Sequence, residues 1–132
     1  MKRRASLLTV WICMTSVHLS AHAQVASFDC AKAATPTEHA ICSTPALGEK
    51  DIRMATYYRI LQDVSPAVSG MAYREFRGGI QDAQTTWMKR QRDVCKDDAT
   101  CLAQAYDQRI KVLHDTLMKN VGITYGRMCD GG

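Results

Sequence analysis

The sequence predicts an all-α fold, and three observations support this. Along three separate stretches, apolar residues recur every three or four positions, which is the spacing of one face of a helix. No stretch of residues 24–132 alternates apolar and polar residues for long enough to indicate a strand. No Asn-Gly or Asp-Gly pair stands between two β-branched runs. We therefore expect a small antiparallel bundle of three main helices, preceded by a short N-terminal helix.

The first 23 residues have the three parts of a secretory signal peptide. Residues 2–4 are basic, residues 5–17 form an apolar run, and residues 21–23 (Ala-His-Ala) form a cleavage pattern. The apolar run is shorter than the ~20 residues that a membrane helix needs, and no later stretch approaches that length. We expect cleavage after Ala23, a periplasmic or secreted location, and a soluble mature domain at 24–132 with no membrane span.

Cleavage would make the protein nearly neutral. The full chain has 17 basic and 13 acidic residues, a formal charge of +4. The signal segment contains three of the basic residues and none of the acidic ones, so the 109 remaining residues have a net charge of +1. No basic stripe with interleaved aromatic residues remains, and the sequence therefore does not predict nucleic-acid binding.

Five cysteines remain after cleavage: Cys30, Cys42, Cys95, Cys101 and Cys129. In an oxidising compartment, a small domain with paired cysteines is typically held by disulfides. Nearest neighbours in sequence suggest Cys30 with Cys42 and Cys95 with Cys101, each contributing about 2–3 kcal/mol, although crossed pairings stay open. Cys129 is left over in a glycine-rich tail, where it is free, pairs with another cysteine, or links two copies into a dimer.

Zinc binding is the main alternative to disulfides. His39 and Cys42 lie three positions apart and could share a metal with Cys95 and Cys101. Neither cysteine spacing is that of a C-x-x-C knuckle, and the thiols would have to stay reduced outside the cytoplasm. We therefore expect no metal, no redox site and no cofactor.

Caps and spacing predict where the first two helices begin. Thr35-Pro36-Thr37-Glu38 is a capping box with proline at the first helical position, and it begins a short helix that ends near Cys42. Thr44-Pro45 begins the first main helix, whose seam includes Met54, and which ends near Ser65-Pro66.

The second main helix is predicted to follow a Ser, Pro and Gly-rich break and to run to Val94. It contains Gly78-Gly79, where we expect a bend or close helix packing. The third main helix follows the polar loop 96–100 and is expected to end near 120–122, with a flexible tail from about residue 120.

Enzymatic motifs are missing from the sequence. It has no nucleophile elbow, phosphate loop or H-E-x-x-H, and no Ser, His and Asp set. The histidines that remain after cleavage, His39 and His114, have no neighbouring nucleophile and are predicted to be surface residues. We therefore expect a protein that is not an enzyme and has no catalytic residues.

Two charged residues lie at helix positions with apolar neighbours. Asp51 stands on the seam of the first main helix, and Arg109 on that of the third. We predict a buried or half-buried ion pair between them, which would fix the geometry of the bundle more than its stability. An anion or ligand site at Arg109 is the alternative. Trp87 is predicted to be a core residue by the same spacing.

The assembled motifs resemble the LprI-like family of secreted lysozyme inhibitors. "FDCAKAATPTEHAIC" resembles the opening of that family, "TPALGEKDIRMATYY" its first long helix and "CLAQAYDQRIKVL" its ending. Trp87 and the Arg92-Asp93-Val94-Cys95 stretch resemble the element between them. Lys50 and Gly78-Gly79 depart from the family pattern. The resemblance implies a helical, disulfide-linked envelope domain without catalytic activity, and lysozyme as its partner.

For an inhibitor of this kind we predict that the loop between Cys95 and Cys101 contacts the enzyme. Closure by a disulfide would preorganise the loop, Asp97 and Asp98 would steer it toward a basic surface, and Lys96 would meet a carboxylate of the lysozyme cleft. The alternative function is a periplasmic helical interaction module that binds another envelope protein or a cell-wall fragment.

Overall fold

The computed structural model describes residues 24–63 and 70–129, and it describes side chains at 24–63 and 74–120. The predicted signal peptide at 1–23 lies outside these ranges. The described residues contain no strand, so the predicted all-α fold is confirmed. The four helices are α1 (Pro36–Ser43), α2 (Pro45–Asp63), α3 (Gly70–Trp87) and α4 (Ala99–Cys129). None of them, within the described ranges, is both long and apolar enough to cross a membrane.

Three short helical turns complete the described chain. A 3-10 turn at Cys30–Lys32 precedes α1. A π-helical turn at Met88–Arg92 continues α3, and a 3-10 turn at Asp93–Cys95 follows it. The predicted second main helix is therefore α3 plus these two turns, and it stays helical past Val94.

The predicted capping box begins α1. The Thr35 hydroxyl accepts a hydrogen bond from the Glu38 amide at 3.2 Å. In return, a Glu38 carboxylate oxygen accepts hydrogen bonds from the amides of Ala34 (2.8 Å) and Thr35 (3.0 Å). These bonds satisfy amides that the first turn of a helix leaves without partners. They also hold the Glu38 pKa below its ordinary value.

Helices α2 and α4 run parallel to each other. Asp51 near the start of α2 meets Tyr106 of α4, and Tyr57, further along α2, meets His114, further along α4. The Tyr57 and His114 rings pack edge to face with centroids 5.5 Å apart. Both pairs advance in the same direction, which is the arrangement of the first and third helices in an up-down-up bundle.

Helix α3 runs antiparallel to α2 and α4. The Trp87 indole N–H donates to the Ala105 carbonyl at 3.3 Å, whereas Gln84, earlier in α3, meets Arg109, later in α4. On the other side, the Gln84 amide reaches the Met54 sulfur at 3.1 Å. Consecutive main helices are therefore antiparallel, as predicted from their short connections.

The core has a large and a small part. The large part lies between the three main helices and the N-terminal segment; it consists of Ala26, Ile41, Met54, Ala55, Leu61, Trp87, Tyr106 and Leu113. The small part lies at the end of the bundle that holds the turn before α4; it consists of Leu47, Cys95, Leu102 and Ala105. The prediction that Trp87 is a core residue is confirmed.

The segment before α1 lies close against α2. Ala26 is fully buried, and the Ser27 amide donates to an Asp51 carboxylate oxygen at 2.6 Å. Gly48 permits this approach, because a Cβ at that position would lie 1.9 Å from the Val25 carbonyl oxygen. A residue with a side chain at position 48 would therefore push the segment away from α2.

Close helix packing at Gly78-Gly79 and an end of the last helix near 120–122 are both wrong, whereas the bend given as the alternative at these glycines stays a prediction. A Cβ added at Gly78 or Gly79 would meet no atom within 4 Å, so these residues do not mark close helix packing. Helix α4 also continues through Gly122 to Cys129, past its predicted end at 120–122. Glycine lowers helix propensity by about 1 kcal/mol, which a long helix can absorb without ending.

Candidate functional site

The loop predicted to contact lysozyme is short and closed at its base. Cys95 and Cys101 form a disulfide with their Cα atoms 5.5 Å apart, and we call residues 95–101 the disulfide loop. The Asp98 amide donates to the Cys95 carbonyl at 3.0 Å, which closes a four-residue turn inside the loop. Leu102, the first residue after the loop, is fully buried and anchors it to the bundle.

Lys96 has an unusual backbone conformation in this turn. Its φ of 53° and ψ of −113° make it the only described non-glycine residue with positive φ. These angles are those of the first central position of a type II′ turn, which glycine normally occupies. Holding a non-glycine residue in this conformation lowers the stability of the folded protein by of order 1–3 kcal/mol. Such strain is concentrated at functional sites.

The three predicted contact residues have different roles in the structure. Asp98 caps α4, because one of its carboxylate oxygens accepts from the amides of Thr100 (2.9 Å) and Cys101 (3.0 Å). Lys96 and Asp97 are exposed. Asp98 thus shapes the loop, whereas Lys96 and Asp97 present their charges to solvent.

The second disulfide excludes the predicted zinc alternative. Cys30 is bonded to Cys42, with their Cα atoms 5.8 Å apart, so the three cysteines of the proposed metal set (Cys42, Cys95 and Cys101) are all oxidised within the chain. No group of metal-ligating side chains occurs elsewhere in the described residues. These intramolecular bonds give no support to a disulfide-linked dimer, and the side chain of Cys129 lies outside the described ranges.

The predicted ion pair between Asp51 and Arg109 is not formed. Both residues are buried, at 1% and 7% exposure, as expected. Asp51, however, accepts from the Tyr106 hydroxyl at 2.9 Å and from the Ser27 amide, while the Arg109 Nε donates to Gln84 at 2.9 Å. Tyr106 lies three residues before Arg109 on the same face of α4 and occupies the carboxylate, so the guanidinium turns toward α3.

Tyr106 is at the centre of the polar contacts in the core. Its pKa lies well above the ordinary value of a tyrosine, because the ring is buried and the hydroxyl faces Asp51. The Trp87 ring packs edge to face on it, with centroids 5.3 Å apart. The guanidinium carbons of Arg92 and Arg109 each lie 6.0 Å from the Trp87 ring. Trp87 thus packs in the core and also makes cation–π contacts with two guanidinium groups.

Arg92 is the less exposed partner of a local ion pair. Its side chain is 14% exposed, and its Nε donates to the neighbouring Asp93 at 2.7 Å. Burial alone would lower the Arg92 pKa, but the hydrogen bond to Asp93 and the charge of that carboxylate raise it above the ordinary value. The apolar spacing of the sequence predicts neither the contact between Gln84 and Arg109 nor the partial burial of Arg92.

Two concave surfaces lie beside α3. A groove of about 730 Å³ is lined by residues of the N-terminal segment, α1, α2, α3 and the π-helical turn after α3, among them Glu38, Asp51, Asp82 and Arg92. The Glu38 carboxylate accepts from the backbone of the α1 cap, and Asp51 accepts from Tyr106 and Ser27. Two of the groove's carboxylates therefore hold the fold through these hydrogen bonds.

The second surface is a cavity of about 490 Å³ between α3 and α4. It is lined by Asp82, Ala83, Thr86, Trp87, Gln91, Gln108, Arg109 and Val112. Arg109, which the sequence marked for an ion pair, is therefore part of a concave surface instead.

Comparison with known proteins assigns the chain to a family. A family model described as "Lysozyme inhibitor LprI" matches residues 30–113, more than half of the chain. The matched range contains both disulfides, the Asp51 and Tyr106 contact, and Arg109. Searches of curated proteins and of solved structures gave no match. The chain therefore belongs to the LprI lysozyme inhibitor family.

Proposed function

We propose that this protein is a secreted, non-enzymatic inhibitor that binds a lysozyme and blocks its cleft with the disulfide loop. Membership of the LprI lysozyme inhibitor family is the observation that carries the proposal. The two intramolecular disulfides suit an oxidising compartment outside the cytoplasm.

The disulfide loop has the rigidity that a projection into a cleft requires. It is closed by the Cys95–Cys101 bond, capped by Asp98, and held at its base by the buried Leu102. A segment that is already ordered loses little conformational entropy on binding. Lys96 is exposed at this turn, so its ammonium group is available to a partner.

The charges of the loop suit a lysozyme cleft. Glycosidases of this type act through a pair of carboxylates, and the Lys96 ammonium would meet one of them. Asp97 would face the basic surface around the cleft. Because the mature protein has a net charge of +1, it has no long-range attraction to a basic enzyme, and the local charges of the loop would orient the encounter.

A lysis assay tests the proposal. Purified oxidised protein starting at residue 24 is titrated into a peptidoglycan suspension with a chicken-type lysozyme, and the reduced protein is the control. Dose-dependent inhibition that disappears on reduction is the expected result. No inhibition at high micromolar concentration by helical, oxidised protein would contradict it and would favour the helical interaction module.

Charge variants test whether the loop makes the contact. We expect Lys96→Ala and Asp97→Lys each to weaken inhibition by roughly tenfold, the effect of losing a contact worth about 1.4 kcal/mol. Glu75→Lys is the matched control, since it makes the same charge change as Asp97→Lys at an exposed position near the opposite end of α3. Equal inhibition by the loop variants and the control would remove the disulfide loop from the proposal.

A further inference from the structure

Arg109 has an incomplete set of partners for a buried cation. It is 7% exposed, and its one hydrogen bond runs from Nε to the neutral Gln84 amide. Its Nη2 is buried without a hydrogen-bond partner. No carboxylate among the described residues forms an ion pair with it. A guanidinium has five N–H donors and stays charged, so most of its donors are unused.

Buried charges in proteins are normally paired with an opposite charge. The free-energy cost of removing a charge from water is far larger than the stabilisation from a contact with a neutral group. The Trp87 ring, 6.0 Å from the guanidinium carbon, compensates part of this cost through its negative face. It does not supply an acceptor for Nη2. The physical consequence is a site where an added carboxylate would gain a strong, charge-assisted interaction.

The cavity beside Arg109 has the size and the chemistry of a small-molecule site. Its volume of about 490 Å³ lies within the range of ligand pockets. Beside the guanidinium, its wall contains the Thr86 hydroxyl, the amides of Gln91 and Gln108, and the apolar Trp87. These groups can donate and accept hydrogen bonds around a polar molecule that has a small apolar part.

Asp82 restricts which anion can enter. It is exposed and lines the same cavity, so it repels a second negative charge but attracts a cation. A guanidinium matches a planar carboxylate through two parallel hydrogen bonds. A molecule with one carboxylate and one ammonium group therefore matches both charges that line the cavity, whereas phosphate does not.

We infer that the cavity between α3 and α4 binds the carboxylate of a small zwitterionic molecule, such as a free amino acid, on Arg109. Asp82 favours the ammonium group, and the wall amides and hydroxyl hold the remaining polar atoms. The site contains no residue of the disulfide loop, so it is a function separate from the proposed inhibition.

Intrinsic fluorescence tests this inference directly. The chain has two tryptophans, Trp11 and Trp87, so the full-length chain with Trp11→Phe has its only indole in the cavity wall. Titration with alanine should give a saturable change with a dissociation constant in the millimolar range. Acetate should bind more weakly, and inorganic phosphate should give no saturable change. No saturation with alanine or acetate would overturn the inference, as would phosphate binding as tightly as alanine.

Substitutions separate the two ends of the site. In the Trp11→Phe background, Asp82→Asn should weaken alanine binding about fivefold and strengthen acetate binding, since an exposed charge pair at contact distance is worth about that factor. Arg109→Gln should abolish both. Gln81→Ala is the control because Gln81 lines the groove on the other side of α3 and not this cavity.

Circular dichroism of each variant shows whether it remains helical. If Arg109→Gln fails to fold, the opposite effects of Asp82→Asn on alanine and acetate decide the question, since this residue is exposed. Equal effects on both ligands, or unchanged binding in a folded Arg109→Gln variant, would contradict the assignment.

Discussion

Replacement of Lys96 by glycine should stabilise the protein. Lys96 is the one non-glycine residue with a positive φ in the described part of the chain, and it lies in the turn that begins at Cys95. Relief of that strain returns of order 1–3 kcal/mol. Glycine makes the unfolded chain more flexible, which costs about 0.5–1 kcal/mol. The free energy of unfolding of Lys96→Gly should therefore rise, by up to about 2.5 kcal/mol.

The assay is urea denaturation of the oxidised proteins, followed by helical circular dichroism. Asp97→Gly is the matched control: it changes the next residue of the same turn, where φ is not positive and where the aspartate side chain makes no hydrogen bond within the described residues. The Asp97→Gly control has only the entropy cost of glycine, so its free energy of unfolding should fall by about 0.5–1 kcal/mol. The two substitutions should thus have opposite signs. If Lys96→Gly destabilises the protein as much as Asp97→Gly does, the strain argument fails.

Three further substitutions test the contacts that hold the fold. Tyr106→Phe removes the hydroxyl that donates to Asp51 and should lower the free energy of unfolding by about 2–3 kcal/mol in urea denaturation. Tyr58→Phe is the control, because it removes the same atom from a tyrosine that makes no hydrogen bond within the described residues. It should change the free energy of unfolding by less than about 0.5 kcal/mol. Asp98→Ala loses both cap bonds of α4 and should cost about 1 kcal/mol by the same measurement, whereas Asp98→Asn should retain most of the stability. The Glu38 pKa is lowered in the folded protein by bonds from the backbone amides of Ala34 and Thr35, so its contribution is complete above its ordinary value of 4.5 and is lost as the pH falls through the lower folded value. Melting temperatures across that acidic range should therefore fall more steeply for the wild-type protein than for Glu38→Gln, and parallel curves would contradict this.

The features that the sequence predicts correctly depend on neighbours along the chain. A capping box is contained within Thr35 to Glu38, and both disulfides join cysteines that are close in sequence. Helix spacing likewise shows which positions are buried, and Asp51 and Arg109 are indeed buried. Such signals require only the geometry of one helix or one short loop.

The features that it misses depend on which side chains meet across helices. Spacing places Asp51, Tyr106 and Arg109 on inward faces but does not show that the tyrosine reaches the aspartate first. Nor does any apolar pattern mark Gln84, which is polar and buried between α2 and α4. The strained φ of Lys96 is also invisible in composition, because glycine is the residue that normally signals such a turn.

The short separation of the bonded cysteines has a consequence for how the protein is oxidised. The bonds close over sequence separations of 12 and 6 residues, and the entropy cost of bringing two residues together grows with the length of chain between them. Cys129 is 28 positions beyond Cys101, so in an unfolded chain it meets Cys101 about tenfold less often than Cys95 does. The correct cross-links are thus favoured by proximity alone, before α2, α3 and α4 dock. We therefore expect these two disulfides to form ahead of the mispaired ones when the reduced protein is oxidised.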